Sequence, residues 1–146
     1  MLRLLAGKAW QLSDAGTGLG VVKRTRSIPT PSIIDRRWPH QVALPDDICT
    51  ERNFTRIARF CDKMSAAPQI RRVQAIWPDG KYEEWRLHCF ANQADAKAFL
   101  DHFGGIIFDP AKDRENGRAM GVWRRTGEYE RILELGPLSV PESLRH

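Results

Sequence analysis

The stretch RRVQAIWPDGKYEEWRLHCFANQADAKAFLDHFGG, residues 71–105, carries the strongest structural signal in the chain. Asp79–Gly80 is a turn pair that tolerates positive φ, and it joins two segments rich in strand-forming residues. Asn92 suits the N-cap of a helix, and Gly104–Gly105 suits the end of that helix. The stretch therefore predicts a β-hairpin followed by an amphipathic helix.

Apolar and polar side chains alternate along the second strand of this hairpin. Trp85, Leu87 and Cys89 alternate with residues such as Arg86 and His88. Because successive side chains of a strand point to opposite faces, the two sets are predicted to lie on different sides of the sheet. We expect the first set to face the helices and the second set to lie on an open face.

Two apolar stripes predict two helices that cover one face of the sheet. In the helix that follows Asn92, the stripe has the spacing i, i+3, i+4, i+7. Its members are Ala96, Phe99, Leu100 and Phe103. An earlier helix is predicted over residues 50–64, with an apolar stripe formed by Phe54, Ile57, Ala58, Cys61 and Met64. The basic residues on its other faces are Arg52, Arg56, Arg59 and Lys63.

The order of elements over residues 38–108 is strand, helix, strand, strand, helix, strand. Short apolar segments at residues 40–44 and 106–108 supply the first and last strands. This order resembles the ferredoxin-like βαββαβ sandwich, an α+β fold with a four-stranded antiparallel sheet and two helices on one face. Residues 121–135 predict a C-terminal β-hairpin in addition. The resemblance implies no activity, because that fold hosts many unrelated functions.

The chain is expected to form one domain with two extensions. Residues 1–37 are predicted to be an extended, flexible basic N-terminal arm. Residues 38–135 form the single α+β domain, in which residues 109–135 contribute a loop and the hairpin. Residues 136–146 are predicted to be a C-terminal tail. A chain of 146 residues is long enough to bury an apolar core without a metal or a disulfide.

The formal net charge of +5 is concentrated at the N-terminal end. Residues 1–45 contain seven basic and two acidic residues, whereas basic and acidic residues are equal in number over the rest of the chain. A basic arm on a neutral domain favours contact with an anionic partner, of which nucleic acid is the commonest. The residues assigned to this contact are Lys23, Arg24, Arg26, Arg36 and Arg37. The alternative is a solvated arm that keeps the protein soluble.

The predicted open face of the sheet is a second candidate surface. Its residues, together with one aromatic side chain from the C-terminal hairpin, are Tyr82, Arg86, His88, Phe90 and Trp123. Tyrosine and tryptophan are frequent hot-spot residues of protein interfaces, so this surface suits a protein partner or a homodimer. The alternative is that the arm, the hairpin or a second subunit covers this face.

The sequence contains no pattern typical of catalysis or of metal binding. His88, Cys89 and His102 lack the ligand spacing of a zinc site. A cysteine that points into a core also lacks the exposed, base-paired thiolate that cysteine catalysis needs. We therefore predict no catalytic residue, no metal, no cofactor and no enzyme activity.

Cysteine usage and hydropathy predict a cytoplasmic protein that does not enter a membrane. Cys49, Cys61 and Cys89 are irregularly spaced and suit free thiols in a reducing compartment. No apolar run approaches the roughly 18–20 residues that cross a bilayer. The first functional hypothesis is a small non-catalytic binding module for nucleic acid. The second is a protein-interaction or regulatory domain, and the third is a small-ligand-binding or enzymatic ferredoxin-like protein.

Overall fold

A computed structural model describes residues 28–132 and 135–139 of the chain. In chain order, the elements are α1 (Pro31–Arg37), β1 (His40–Pro45), α2 (Glu51–Cys61), β2 (Gln69–Ile76), β3 (Tyr82–Phe90), α3 (Gln93–Phe103), β4 (Ile106–Phe108), α4 (Pro110–Asp113) and β5 (Trp123–Arg124). The fold is mixed α+β, and its five strands form one sheet in the order β4-β1-β3-β2-β5. No helix in the described part of the chain combines the length and the apolar character that crossing a bilayer requires.

The hairpin and the helix predicted at residues 71–105 are confirmed. β2 and β3 pair antiparallel, and the turn between them is closed by the Gly80 N–H, which donates to the Trp77 carbonyl at 2.9 Å. Gly80 has a φ of 91°. The Asn92 side chain accepts a hydrogen bond from the Asp95 N–H at 2.8 Å, which caps α3. The helix ends at Gly104, whose φ of 79° is unfavourable for other residues.

Two hydrophobic clusters lie on opposite faces of the sheet. The first cluster lies beneath α2 and α3 and includes Val42, Leu44, Ile57, Cys61, Phe90, Phe99 and Phe103. The second cluster lies beneath α1 and the stretch that contains Trp123 and Tyr129. Its members include Ile34, Ala43, Val73, Trp85, Leu87, Cys89 and Trp123. Consecutive strand residues such as Val42 and Ala43 belong to different clusters because their side chains alternate between faces. Each face of the sheet therefore carries its own hydrophobic cluster.

The faces predicted for β3 are wrong. Trp85 and its alternating partners, expected beneath the helices, lie in the second cluster. His88 and Phe90, expected on an open face, pack beneath α3, with ring centroids 4.8 and 5.4 Å from that of Phe99. The period of the alternation is correct, but polarity did not identify the solvent side because this strand is buried on both faces over its second half.

The C-terminal hairpin is also wrong, and the sheet has five strands instead of the four predicted. Within the described residues, Trp123–Arg124 is the part of the predicted hairpin that forms a strand, and it pairs in parallel with the end of β2. The Trp123 ring enters the second cluster, 5.7 Å from the Trp85 ring and 5.0 Å from the Phe108 ring. Burial of this side chain against non-local partners therefore replaces local hairpin pairing.

The last residues of the predicted arm are helical. The Thr30 side chain accepts a hydrogen bond from the Ile33 N–H at 3.4 Å, and proline in the first turn suits a helix start. Ile34 is buried in the second cluster, which attaches α1 to the sheet. An extended arm over residues 1–37 is therefore wrong for Pro31–Arg37.

Both ends of the chain continue beyond the described residues. Three residues of the predicted arm contact lie outside them, namely Lys23, Arg24 and Arg26. The predicted tail, residues 136–146, is described as far as residue 139. In that part, Leu138 is buried in the first cluster, so the tail begins with residues that pack on the domain.

Candidate functional site

The two described residues of the predicted arm contact lie on α1. Arg36 and Arg37 are exposed and occupy the last turn of this helix. α1 packs on the second cluster through Ile34. These two residues therefore belong to a helix that packs on the face of the sheet opposite α2.

Three arginines of α2 and one lysine just beyond its last residue, Cys61, form a row of basic side chains. Its members, at the spacing i, i+4, i+7 and i+11, are Arg52, Arg56, Arg59 and Lys63. This spacing places the three arginines on one side of α2, and Lys63 lies in the turn that follows the helix. All four are exposed, and none forms a salt bridge within the described residues. We call this row the basic face of α2.

Hydrogen bonds to Pro137 and Ser139 hold α2 in place. Asn53 is buried, and its Nδ2 donates to the carbonyls of Ile48 and Ser139 at 2.9 and 2.6 Å. Its Oδ1 accepts from the Ser139 N–H at 2.9 Å. Arg56 also donates to the carbonyl of Pro137. The basic face is therefore carried by a helix that is fixed to the domain.

The sequence contained the signal for the basic face, but no function was assigned to it. Arg52, Arg56, Arg59 and Lys63 were predicted to lie away from the apolar stripe, and all four are exposed. Attention to their i, i+4, i+7, i+11 spacing would have identified a continuous charged row. Basic and acidic residues are equal in number over residues 46–146, so the net charge of the domain does not reveal this local row.

The residues predicted to share an open sheet face do not form one. Tyr82 is 66% exposed, whereas the Arg86 side chain is mostly buried. Three members are almost completely buried, namely His88, Phe90 and Trp123. Trp123 lies in the second cluster and Phe90 in the first, so these side chains are also on opposite faces.

A groove with a volume of about 690 Å³ opens between α2 and the strands β2 and β3. Its apolar lining consists of Phe54, Ile57, Ala58, Cys61, Pro68 and Ile70. Phe54 and Ile70 are 61% and 49% exposed although both are large and apolar. Phe54 was predicted to be a core residue, and that prediction is wrong. α2 therefore leaves apolar side chains of its own and of β2 accessible to solvent.

One end of this groove is polar. The Asp46 carboxylate accepts hydrogen bonds from Arg72 Nε at 3.1 Å and from Arg86 Nε at 2.8 Å. Arg86 also donates to the carbonyl of Cys49 at 2.8 Å. One carboxylate is therefore shared by two guanidinium groups, and Glu51, which also lines the groove, supplies a second negative charge.

Burial strongly perturbs the ionisation of His88 and of the cysteines. Burial, with a smaller effect of the Arg86 charge, lowers the pKa of His88 to about 3, so its imidazole is neutral at neutral pH. Burial raises the pKa of Cys89 to about 12 and that of Cys49 to about 12. These thiols are protonated and poorly nucleophilic. Among the described residues, no three His, Cys, Asp or Glu side chains converge on a point that could hold a metal ion.

A buried ion network joins α1 to the segment that follows α4. Asp35 accepts a hydrogen bond from Arg71 at 2.9 Å, and Arg114 Nε lies 3.8 Å from the same carboxylate. Arg114 also donates to the carbonyls of Gly121 and Arg72 at 2.9 and 3.0 Å. Burial, with the charge of Arg71, lowers the pKa of Arg114 to about 10. Each arginine thus bonds to backbone carbonyls or to Asp35, which suits a structural role.

Comparisons with known proteins add no family. No protein-family model matches the chain, and no significant similarity to a curated protein or to a solved structure is found.

Proposed function

We propose that this protein is a non-catalytic module that binds nucleic acid through the basic face of α2 and the basic N-terminal segment. The observation that carries the proposal is the row Arg52, Arg56, Arg59 and Lys63, exposed along α2 and the turn that follows it and without salt bridges among the described residues. Surface arginine and lysine side chains that lack acidic partners are available to neutralise phosphates.

The length of the basic face supports contact with several phosphates. From Arg52 to Arg59 the helix rises by roughly 10 Å, at about 1.5 Å per residue. That length corresponds to about three steps of roughly 3.4 Å along one strand of a duplex, and Lys63 lies just beyond the end of the helix. Such contacts position a protein on the phosphate backbone without reading sequence. We therefore propose binding that depends on charge and salt more than on base sequence.

The N-terminal segment is proposed as a second contact. Lys23, Arg24 and Arg26 would extend the positive charge of Arg36 and Arg37. Because α1 and α2 pack on opposite faces of the sheet, this contact and the basic face are separate surfaces. A nucleic acid that engages both would pass around an edge of the domain.

We also propose that residues 40–108 form a ferredoxin-like core to which β5 adds an edge strand. The support is the order of the first four strands in the sheet, β4-β1-β3-β2. The helices α2 and α3 follow β1 and β3 along the chain, as that fold requires. A cytoplasmic location is proposed with it, supported by three buried cysteines that form no disulfide.

A protein-interaction or homodimer surface on the sheet face is the weaker proposal. Of the five residues assigned to it, Tyr82 is the one with a mostly exposed side chain. The proposed function therefore rests on charge rather than on an aromatic surface.

Truncation and salt distinguish the two basic contacts. Deletion of residues 1–27 removes Lys23, Arg24 and Arg26 but retains the residues of α1, and it should weaken binding of a fluorescein-labelled DNA duplex without abolishing it. The apparent affinity of the full chain should fall steeply as the salt concentration rises. Binding that is absent at low salt, or unchanged by salt, would contradict the proposal. Fluorescence polarisation provides both measurements.

A further inference from the structure

We infer that the protein binds two nucleic-acid duplexes at once, one on each face of its sheet, and so bridges them. This bridging rests on the proposed function, because it uses the two basic contacts named there. It also goes beyond that function, since binding of a single duplex requires no particular arrangement of the contacts. The observation that carries it is the packing of α1 and α2 on opposite faces of one sheet.

The basic face of α2 points away from the sheet. Ile57 is buried beneath α2 in the first cluster. At about 100° per residue, Arg59 and Arg52 lie roughly 200° and 220° around the helix axis from Ile57. The acidic residues of the same stretch, Glu51 and Asp62, line the groove beside α2 instead. The row of basic side chains therefore presents its charge to the solvent on the α2 side of the sheet.

The helix α1 presents positive charge on the other side of the sheet. Ile34 is buried in the second cluster, and Arg36 lies roughly 200° around the helix axis from it, which directs Arg36 away from the sheet. Arg36 and Arg37 are exposed and form no salt bridge within the described residues. The adjacent carboxylate of Asp35 pairs with the buried Arg71 instead, at 2.9 Å.

The charge of the N-terminal segment is tethered to this α1 side. Residues 1–37 contain seven basic and two acidic residues, so their net charge is +5. Asp109, which lines the same depression as Arg36, supplies one opposing charge. Lys23 precedes Pro31 by eight residues and lies at most roughly 29 Å from it, even in a fully extended chain. Two helices and the sheet between them are together roughly 30 Å thick, so this reach is too short to pass around an edge of the domain to α2.

A single duplex is too stiff to engage both contacts. The persistence length of duplex DNA is about 500 Å, which is many times the thickness of the domain. To reach both faces, one duplex would have to reverse its direction around an object roughly 30 Å thick. Two straight duplexes, one on each face, satisfy both contacts without this bend. Because the contacts are made with phosphates, the two duplexes need not share a sequence.

A capture assay tests the bridging. A biotinylated DNA duplex of roughly 25 base pairs, far below the persistence length of about 150 base pairs, is held on streptavidin beads. A fluorescein-labelled duplex of unrelated sequence is then added with the full chain at low salt. We expect the protein to retain the labelled duplex on the beads, and higher salt to release it. Retention should pass through a maximum as the protein concentration rises, because excess protein occupies each duplex separately.

Two variants each remove one of the contacts. The first lacks residues 1–27 and carries Arg36→Gln and Arg37→Gln. The second carries Arg52→Gln, Arg59→Gln and Lys63→Gln. Each variant should still bind a single duplex in fluorescence polarisation, but each should retain at least about tenfold less labelled duplex on the beads. Circular dichroism and the thermal unfolding midpoint establish that both variants are folded.

A matched control removes two exposed charges that belong to neither contact, by Lys81→Gln and Lys97→Gln. This control should retain the labelled duplex as the wild type does. A dimer could also hold two duplexes, one on each protomer. In that case a variant with a single contact would still bridge, because each protomer would supply the remaining contact.

Polarisation separates a failure of the bridging from a failure of the proposed function. Binding of a single duplex by the full chain without retention on the beads would overturn the bridging and leave the proposed function intact. Undiminished retention by either folded single-contact variant, or loss of retention by the control, would overturn the bridging as well. An absence of single-duplex binding at low salt would overturn both.

Discussion

The imidazole ring of His88 stacks on the ring of Phe99, with 4.8 Å between the ring centroids and 29° between the ring planes. A residue that the sequence pattern placed on a solvent-facing side of β3 is thus buried beneath α3. Its charge state consequently becomes a term in the stability of the whole domain.

Stability should fall as the pH decreases below about 6.5 because His88 must stay neutral in the folded chain. Its pKa is lowered from 6.5 to about 3 by burial. The unfolded chain takes up the proton first, so the contribution is complete above pH 6.5 and is lost on acidification. Between the two pKa values, His88 should account for about 1.4 kcal/mol of unfolding free energy per pH unit. Urea unfolding at a series of pH values measures this slope.

Two histidine variants identify the residue responsible. His88→Phe retains a ring against Phe99 and should show a shallower loss of stability on acidification. His40→Gln leaves His88 in place, so the steep loss should persist. Equal slopes in the wild type and His88→Phe would show that His88 is not the buried titrating group.

The thiols should react slowly in the folded protein. The pKa of Cys49 and of Cys89 is raised to about 12, and that of Cys61 to about 11, in each case mainly by burial. The thiolate fraction at neutral pH is therefore very small. Reaction with Ellman's reagent should be slow until denaturant is added, after which the three cysteines should react completely. Rapid labelling of Cys89 in the folded chain would contradict its burial.

Turn and cap chemistry made the local elements predictable, whereas the faces of the sheet were not. Gly80, Asn92 and Gly104 each have a local conformational role, and the elements around them are correct. The side of β3 that meets the helices depends on which chain segments cover each face, and this information is non-local. The alternation along β3 shows that Trp85 and His88 lie on opposite faces of the sheet, but it does not show which face meets the helices.

Two further features depended on non-local contacts. β5 forms because Trp123 packs against Trp85 and Phe108, far from it in sequence. The groove exists because α2 and β2 lie apart from each other. The spacing of residues in the sequence cannot predict that distance. The three arginines of the basic face were accessible to prediction because helical periodicity alone places them on one side of α2.

The carboxylate of Asp35 should be essential to the packing of α1. It bonds to Arg71, and it is the acidic partner of both Arg71 and Arg114 among the salt bridges of the described residues. Asp35→Asn should lower the unfolding free energy by about 3–5 kcal/mol, since it leaves two buried guanidinium groups without a counter-charge. Chemical denaturation measures the change.

The matched control is Asp101→Asn. Asp101 pairs with Lys97 at 2.8 Å on an exposed helix surface, and the loss of that pair should cost less than about 1 kcal/mol. Similar changes for the two variants would show that the Asp35 network contributes no more than a surface pair.

Fluorescence polarisation with a labelled DNA duplex at low and moderate salt tests the nucleic-acid proposal most directly. The triple variant Arg52→Gln, Arg59→Gln and Lys63→Gln removes three of the four charges of the basic face and leaves Arg56, which bonds to Pro137. The control removes three exposed charges elsewhere, by Lys81→Gln, Lys112→Gln and Arg118→Gln. We predict that the first variant binds at least about tenfold more weakly, with a salt slope smaller by roughly two to three, while the control retains wild-type binding. Equal affinities of the two variants, or no binding by the wild type at low salt, would contradict the account.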